Sequence, residues 1–562
     1  MSRSFVLRVV LVGLLVWFGS SRQALAVTCT HYVDPDWGGT ASGTASQPWT
    51  SLTSSAWTTI NTALASGAVY VCFSARAAGS DINQTTTTEL LVLRTDTSTN
   101  LLTLDGMSQY NTNDGAPSWT DYPARTQTVT LSTGTVVTGR FYNGSRFTIT
   151  ASIPISTDTG QVVRSYVTIK GFHGIATGGI IVFYWDGDHV TVEDVEGEGN
   201  TSQGNGPGFY FTGTREEGQS GTCTPSGAWN CRGKGDLIVR RNYVHDQRGE
   251  GMYFAGCADS TSCPTKTNNF LIEDNVLANV SRYDGEGDGI DIKTNLVGVT
   301  VRGNWIEWDP ALTYEGVAGG SGPRAGIETL SGVVFENNYI NGNSINCLGI
   351  SLTDFWSNYG TTRAGTVVRN NVFIRIGGAP PTTCGTGDAI RCYGDTAGTD
   401  DFTGLLIHNN TIATTNQYGI ALGVLCTTAT VQNNVVSGTV DLAGTFSTGI
   451  LLTHDHNDWN KPSGTAVVYG GSSYTAAQIT SFEATSISAD PVFVSTGSPY
   501  TALNFALQTS SPAKNAGTTI GSFSTDYSGV SRPQGAAWDM GAFEFVEGGV
   551  SPVYRLRLKP GQ

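Results

Sequence analysis

The chain of 562 residues has 31 basic and 46 acidic side chains, a formal charge of −15. So acidic a surface repels nucleic acid and anionic membranes, and it repels a polyanionic polysaccharide as well unless bound cations or a local basic patch reverse the field. Only 14% of residues are charged, glycine and threonine abound, and no stretch sustains a 3.6-residue apolar period, so the chain is expected to be predominantly β.

Residues 1–26, MSRSFVLRVVLVGLLVWFGSSRQALA, contain Arg3 and Arg8, an apolar run over 9–18, and Ala24-Leu25-Ala26. That is the pattern of a secretory signal with a small-residue cleavage site, and the run is too short to span a bilayer well. The mature protein is expected to begin near Val27 and to be secreted, extracellular or periplasmic. Loss of Arg3, Arg8 and Arg22 with no acid moves the formal charge from −15 to −18. The one helical pattern is WTTINTALA, residues 57–65.

All ten cysteines lie after the signal, and an even number in an exported chain points to disulfides. Close spacing suggests Cys223 with Cys231, Cys257 with Cys263, and Cys384 with Cys392. Cys29 with Cys72 and Cys347 with Cys426 would remain. Spacing alone does not set the connectivity, and no pair has zinc or redox spacing.

From residue 237 a short segment recurs, in which an apolar stretch is followed by Asn and another apolar residue: LIVRRNYV, FLIEDNVL, VTVRGNWI, VVFENNYI, TVVRNNVF, LLIHNNTI and ATVQNNVV. Between its copies a second one recurs: GFYF, GMYF, GIDI, GIET, GISL, AIRC, GIAL and GILL. Both alternate apolar and variable residues, the period of a strand buried on one face. One repeat cannot bury its apolar face alone, so the repeats must stack as coils of a solenoid. The recurring Asn would then form an inward hydrogen-bonded ladder at a turn.

These repeats resemble those of the right-handed parallel β-helix proteins of the pectate-lyase-like superfamily. The resemblance covers roughly residues 161–455. HYVDPDWGGTASGTASQPWTSL (31–52) resembles the opening segment of secreted members. SISADPVF (486–493), SPAKNAGTTI (511–520) and DYSGVSRPQGAAWDMGAFEF (526–545) resemble their C-terminal closing segment. The implied organisation is a signal peptide (1–26), an N-terminal cap with first coils (27–160), parallel β-helix repeats (161–455), and a closing segment with tail (456–562). The fold class is all-β, and it supports many activities.

Alignment of the second segments on their glycine, or on Ala389, turns Ile290 and Ile292 inward and Asp291 and Lys293 outward. One outward column then reads Ile181, Tyr210, Tyr253, Asp291, Glu328, Ser351, Arg391, Ala421 and Leu451. Its neighbour reads Phe183, Thr212, Ala255, Lys293, Leu330, Thr353, Tyr393, Gly423 and Thr453. Stacked strands lie about 4.8 Å apart, so the middle of this sheet gathers tyrosines, acids and bases into a surface suited to sugars. Glu250 and Asp288 precede equivalent strands, Asp284 and Glu286 lie in the loop between, and Arg248 could line the groove.

Three chemistries could use this surface. In β-elimination a base removes the C5 proton of a uronate while a cation neutralises its carboxylate. Lys293 could be the base if its pKa were depressed, and Asp284, Asp288 and Asp291 offer the oxygen ligands that calcium takes. This is similar to the calcium-and-lysine arrangement of some β-helix pectate lyases. Arg391 or Arg248 would bind the substrate carboxylate, with Tyr210, Tyr253, Glu250 and Tyr393 lining the site. Glycoside hydrolysis would instead use a carboxylate pair such as Asp291 with Glu328, or Asp288 with Glu250. Epimerisation shares the proton abstraction but lacks its DPHD-like signature here.

Plainer readings stand beside these. Acids in glycine-rich solenoid loops serve solubility and turns. His454, Asp455, His456 and Asp458 have no standard ligand spacing and sit where the last coil meets the closing segment; His245 and Asp246 read as loop residues. The expectation is a monomeric, secreted polysaccharide lyase with a polysaccharide as its partner and no nucleic-acid or membrane partner. A glycoside hydrolase, or a non-catalytic carbohydrate-binding or surface-structural solenoid, is the alternative.

Overall fold

The computed structural model of the protein describes residues 29–34, 37–74, 82–83, 99–111, 118–121, 127–131, 136–139, 146–149, 166–176, 181–184, 189–199, 208–212, 236–255, 266–282, 287–293, 296–312, 325–329, 332–345, 348–352, 362–377, 387–393, 401–439, 441–498 and 500–547. Among these, most strands form three long sheets, built by stacking the equivalent strand of one coil on that of the next, parallel and in register; the exceptions in them are Ser472–Thr475, antiparallel to Thr465–Tyr469 at the end of the third, and Ser118–Asp121, antiparallel to Leu102–Asn111 beside the first. The first sheet runs from His31–Val33 to Leu451–Asp455, the second from Ile82–Asn83 to Asp458–Asn460, and the third from Ile181–Tyr184 to Ser472–Thr475. Connections between parallel strands are right-handed in nearly all proteins, and the fold is the right-handed parallel β-helix expected from the repeats. The helix, Ser54–Leu64, starts three residues earlier than its apolar pattern and is capped by Thr53, whose hydroxyl accepts the Ala56 N–H at 3.4 Å. Trp57, Ile60 and Leu64, on one face of it, are buried in the solenoid core.

The first recurring segment folds as two strands joined at a sharp corner between the first and second sheets. Asn242, Asn275, Asn304, Asn338, Asn371, Asn410, Asn434 and Asn457 stack inside that corner. Each side-chain amide donates to the Oδ1 of the next at 2.9 to 3.1 Å. The same Oδ1 accepts the backbone N–H of the Asn below, as Asn338 accepts from Asn304 at 3.0 Å. A second amide hydrogen goes to a carbonyl of the first sheet, as from Asn338 to Val301 at 2.9 Å. Asn457, in HDHNDW, belongs to the ladder although its segment departs from the repeat. Its amide and backbone N–H end on Glu483 at 3.2 Å and Ser486 at 2.8 Å.

The residue before each ladder Asn turns the corner with positive φ, as in Asp274 (54°), Gly303 (65°), Asn337 (57°), Asn370 (52°), Asn409 (52°) and Asn433 (58°). Asn, Asp and Gly are the residues that enter the left-handed region at least cost, which explains the recurring Asn-Asn and Gly-Asn. The two members of a pair have opposite duties. Asn410 points into the ladder, whereas Asn409 donates outward to the Asp539 carbonyl at 3.1 Å. Asn370 and Asn433 likewise grip Thr525 and Thr518 at 2.9 and 2.7 Å. The closing segment is thereby laid along the solenoid, and its Phe493, Phe505, Tyr527, Met540 and Phe543 pack against Trp305, Tyr339, Val372 and Val435 of the second sheet.

The glycine that opens the second segment is required by close approach rather than by φ. A Cβ on Gly289 would lie 2.5 Å from the Gly326 carbonyl oxygen and 2.8 Å from Ile306 Cγ2. Along the end of the first sheet, register partners alternate in charge: Asp105, Lys170, Glu193, Arg240, Glu273, Arg302, Glu336, Arg369. Ion pairs of 3.1 Å (Lys170–Asp105), 2.7 Å (Arg240–Glu193), 2.7 Å (Arg302–Glu273) and 2.5 Å (Arg369–Glu336) tie the coils. Such pairs matter less for their modest energy than for register, since a slip by one coil would oppose like charges.

Two expectations are corrected. GILL (449–452) does not continue the third sheet; Leu451–Asp455 pairs with Ala429–Gln432 in the first. Cys392 is bridged to Cys426, joining adjacent coils, and not to Cys384, so Cys426 does not take Cys347. Cys29–Cys72 forms as expected, and Cys223, Cys231, Cys257, Cys263, Cys347 and Cys384 lie outside the described residues.

Asn338→Ala would orphan the amide and backbone N–H of Asn304 together. The expected loss is about 3 kcal/mol, read as a lower midpoint in denaturant unfolding. His408 follows Arg369 in the charged column; it is buried, neither ring nitrogen has a hydrogen-bond partner among the described residues, and burial with the Arg369 charge lowers its pKa from 6.5 to about 4. The folded state therefore holds this imidazole neutral while the unfolded chain protonates it. Its stabilising contribution is complete above pH 6.5 and falls as the pH drops from there towards 4. His408→Gln should flatten that part of the stability profile in thermal melts.

Candidate functional site

The third sheet builds the expected surface. Register pairs Tyr210 with Tyr253, Tyr253 with Asp291, Asp291 with Glu328, Glu328 with Ser351, and Ser351 with Arg391. The ends of the column differ from the alignment. Val182, not Ile181, stands beside Tyr210, and Thr445, not Leu451, follows Ala421. In the neighbouring column Tyr184, Thr212, Ala255 and Lys293 are partners, so Phe183 is displaced by one. The middle of the sheet is as read, because the shared glycine has to sit at one place in each coil.

Ile290 and Ile292 are in the core, so Asp291 between them faces outward. It is nevertheless buried, with 1% of its surface exposed, and Ser351 is fully buried. The outward column is thus covered at its centre and half-buried at Tyr210, Tyr253 and Arg391. The rings of Tyr210 and Tyr253 stack with centroids 5.1 Å apart and planes 28° from parallel. Two coils beyond Glu328, Arg391 lies over the Tyr393 ring at 4.5 Å. Burial pushes the Tyr393 phenol up to about 12, so it stays protonated. Lys293 and Glu328 are placed by the backbone of their strands, Ile290–Lys293 and Ala325–Thr329.

Asp288 takes a structural part. It is buried, and its Oδ1 accepts the Ala325 N–H of the next coil at 2.8 Å. The same arrangement recurs at Asp388, whose Oδ1 accepts the Tyr418 N–H at 3.3 Å. Asp388 occupies the position of Asp288 three coils on, and burial raises its pKa to about 6 against the pull of Arg391. The sequence signal for Asp388 was present, an Asp just before AIRC as before GIDI. Glu250 stands one coil before Asp288, where the Gly251 N–H bonds the Asp288 carbonyl at 2.9 Å. Arg248 is half-buried nearby in the chain, and Asp284 and Glu286 lie outside the described residues.

Carboxylate oxygens suit calcium, yet Asp288 has committed one oxygen to a backbone amide. Among the described residues no group of three or more His, Cys, Asp or Glu could hold a metal ion. Asp284, the third member of the expected calcium set, lies outside those residues.

The histidine-rich stretches have other partners. His454 pairs with the buried Glu483 at 3.1 Å and stacks on Phe482, and His456 pairs with Asp455 at 3.0 Å. The Asp458 Oδ1 accepts the Ala489 N–H at 3.0 Å. On the second sheet His245 bonds Asp246 at 2.9 Å and Glu196 at 3.2 Å. Burial acts to lower its pKa, but these two carboxylates raise it to about 9.

With this geometry the class of protein is defined: a right-handed parallel β-helix. No protein-family model and no curated protein sequence matches the chain. Among solved structures it is similar to pectate lyase Pel9A, at 14% identity and a TM-score of 0.39 over 92% of this chain and 96% of that one. It is also similar to alginate lyase AlyF-OU02, solved with G6, at 14% identity and a TM-score of 0.29 over 58% and 81% of the two chains. The fold itself rests on the strand register given above. Among the described residues no helix is long and apolar enough to cross a membrane, and the two disulfides fit an oxidising compartment.

Asp288→Asn keeps an acceptor for Ala325 and should leave unfolding nearly unchanged. Asp288→Ala orphans that amide at an expected cost of about 1–3 kcal/mol. Equal loss in both variants by denaturant unfolding would contradict the structural assignment.

Proposed function

We propose that the protein is a secreted enzyme that cleaves a uronate-containing polysaccharide by β-elimination. The observation that supports this most is the run of register partners on one outward face, from the stacked Tyr210–Tyr253 rings through Asp291 to Glu328, with Lys293 ending the Asp291 strand. Stacked tyrosines offer apolar faces to sugar rings while their hydroxyls reach the polar rim. Lys293 removes the C5 proton, the electron pair forms the C4–C5 double bond, and the glycosidic oxygen leaves from C4. Arg391, held over Tyr393, or Arg248 binds the uronate carboxylate. Either charge also answers the repulsion between an acidic protein and an acidic polymer. Tyr393 and Glu250 flank this path.

A second reading rests on one pairing. Asp291 and Glu328 are direct partners on adjacent strands, which lie about 4.8 Å apart. That spacing is near the 5 to 5.5 Å of a retaining glycosidase pair.

The assay is incubation of the mature protein with acidic and neutral glycans, in calcium or in chelator. Elimination yields an unsaturated product seen by its ultraviolet absorbance, and Lys293→Ala should reduce that rate by about 100-fold or more. New reducing ends without the absorbance, lost in Asp291→Asn and Glu328→Gln, favour hydrolysis. Glycan binding without either product favours the non-catalytic solenoid. Activity that survives chelation removes calcium from the mechanism.

A further inference from the structure

The interior corner between the second and third sheets is apolar in the middle coils, where Val280 and Trp308 fill it. It becomes polar further on. Thr415 is the register partner of the core residue Ile376, and Thr439 is the partner of Thr415. Both threonines therefore sit in a column that begins as core. Asp388 precedes the core residue Ile390 by two, on the same face of its strand.

The segments that carry these side chains are in contact. Asp388 reaches the next coil through its 3.3 Å bond from the Tyr418 N–H. A Cβ on Gly387 would lie 2.7 Å from Asn416 Cβ and 3.0 Å from Gln417 N, so the two chain segments are in contact. The Gln417 carbonyl in turn accepts the N–H groups of Asp441 and Leu442 in the coil after that, each at 3.2 Å. Asp388 and Thr415 are fully buried and Thr439 nearly so. Asp388 Oδ2, Thr415 Oγ1, Gln417 Oε1 and Thr439 Oγ1 are all shielded from solvent with no hydrogen-bond partner among the described residues.

Four buried oxygens without a donor form an expensive arrangement in a core otherwise built of valine, isoleucine and phenylalanine. A shared hydrogen bond between a hydroxyl and the carboxylate would relieve it, and none forms. All four are hard oxygen donors, the kind that alkali and alkaline-earth cations take. Asp388 supplies one negative charge, with Arg391 acting on it and the Lys461 ammonium on the Thr439 carbonyl at 3.2 Å, so a monovalent cation would leave less excess charge buried than a divalent one.

We propose that Asp388, Thr415, Gln417 and Thr439 form a buried binding site for a monovalent metal cation, sodium or potassium, that joins three successive coils of the solenoid. The site lies on the core side of the third sheet and is independent of the catalytic reading above.

The test is thermal unfolding of the full mature chain in choline chloride, sodium chloride, potassium chloride and calcium chloride at matched ionic strength. Sodium or potassium should raise the midpoint by a few degrees over choline. That difference should vanish in Asp388→Asn, which keeps the Tyr418 acceptor, and shrink in Thr415→Val. Reading the difference between salts within each variant separates ion binding from a general loss of stability. Elemental mass spectrometry after exchange into choline buffer should find sodium or potassium retained by the wild type and absent from Asp388→Asn. Equal midpoints in choline, sodium and potassium, as a trapped water or a protonated Asp388 would give, overturn the proposal. So do stabilisation by calcium alone and a sodium effect unchanged in Asp388→Asn.

Discussion

The asparagine ladder is the constraint on which the rest of the solenoid depends. At the corner between the first and second sheets, the chain must turn sharply with its backbone amides facing inward, away from water. An unpaired buried amide costs as much as a lost hydrogen bond, and the same cost would recur in every coil. A side-chain amide one coil above supplies the acceptor while its own hydrogens bond the next Asn and a first-sheet carbonyl. The amide dipoles consequently align along the axis, and their donating end meets the Glu483 carboxylate, which also receives the Trp459 N–H at 2.8 Å and the Ser486 hydroxyl. An anion at the donating end of aligned dipoles is favourable for the same reason as at a helix N-terminus.

Once that corner is set, the other faces follow from distance. The left-handed residue before each ladder Asn points outward, so from Asn370 to Asn433 it is free to bind the closing segment. Within that segment Arg532 is buried with Glu544 at 2.9 Å and donates to the Asp539 and Gly541 carbonyls. A buried charge held this way fixes geometry more than it adds stability. The closing segment therefore covers the apolar outer face of the second sheet in one register, and Tyr210, Tyr253, Asp291 and Arg391 are left to the outward side of the third sheet, where Asp291 is buried.

Much of this was legible from repetition. Asn242 through Asn434, the glycine of the second segment and the middle of the outward column could be read because a coil repeats its chemistry at the same angular position. Reading failed where the repeat lost its landmark. GILL has the right letters but belongs to the first sheet, since Leu442–Phe446 already takes the third-sheet place in that coil. Ile181 and Val182 are both apolar, so the alternation cannot say which one stands beside Tyr210. The alternating charges of the first sheet were missed because partners such as Arg240 and Glu273 lie 33 positions apart, each an ordinary surface residue until register unites them.

The sequence by itself determined the solenoid, its inward Asn corner and the face on which Asp291 and Lys293 lie. These follow from a strand period of two and from the steric limits of left-handed backbone, both local properties. Only the tertiary structure decided that Asp288 is spent on the Ala325 amide, that Asp291 is buried though it faces outward, and that Cys392 bridges to Cys426. Each of those depends on how far apart two coils bring groups that are remote in the chain, and irregular loops of unequal length hide that distance from the sequence.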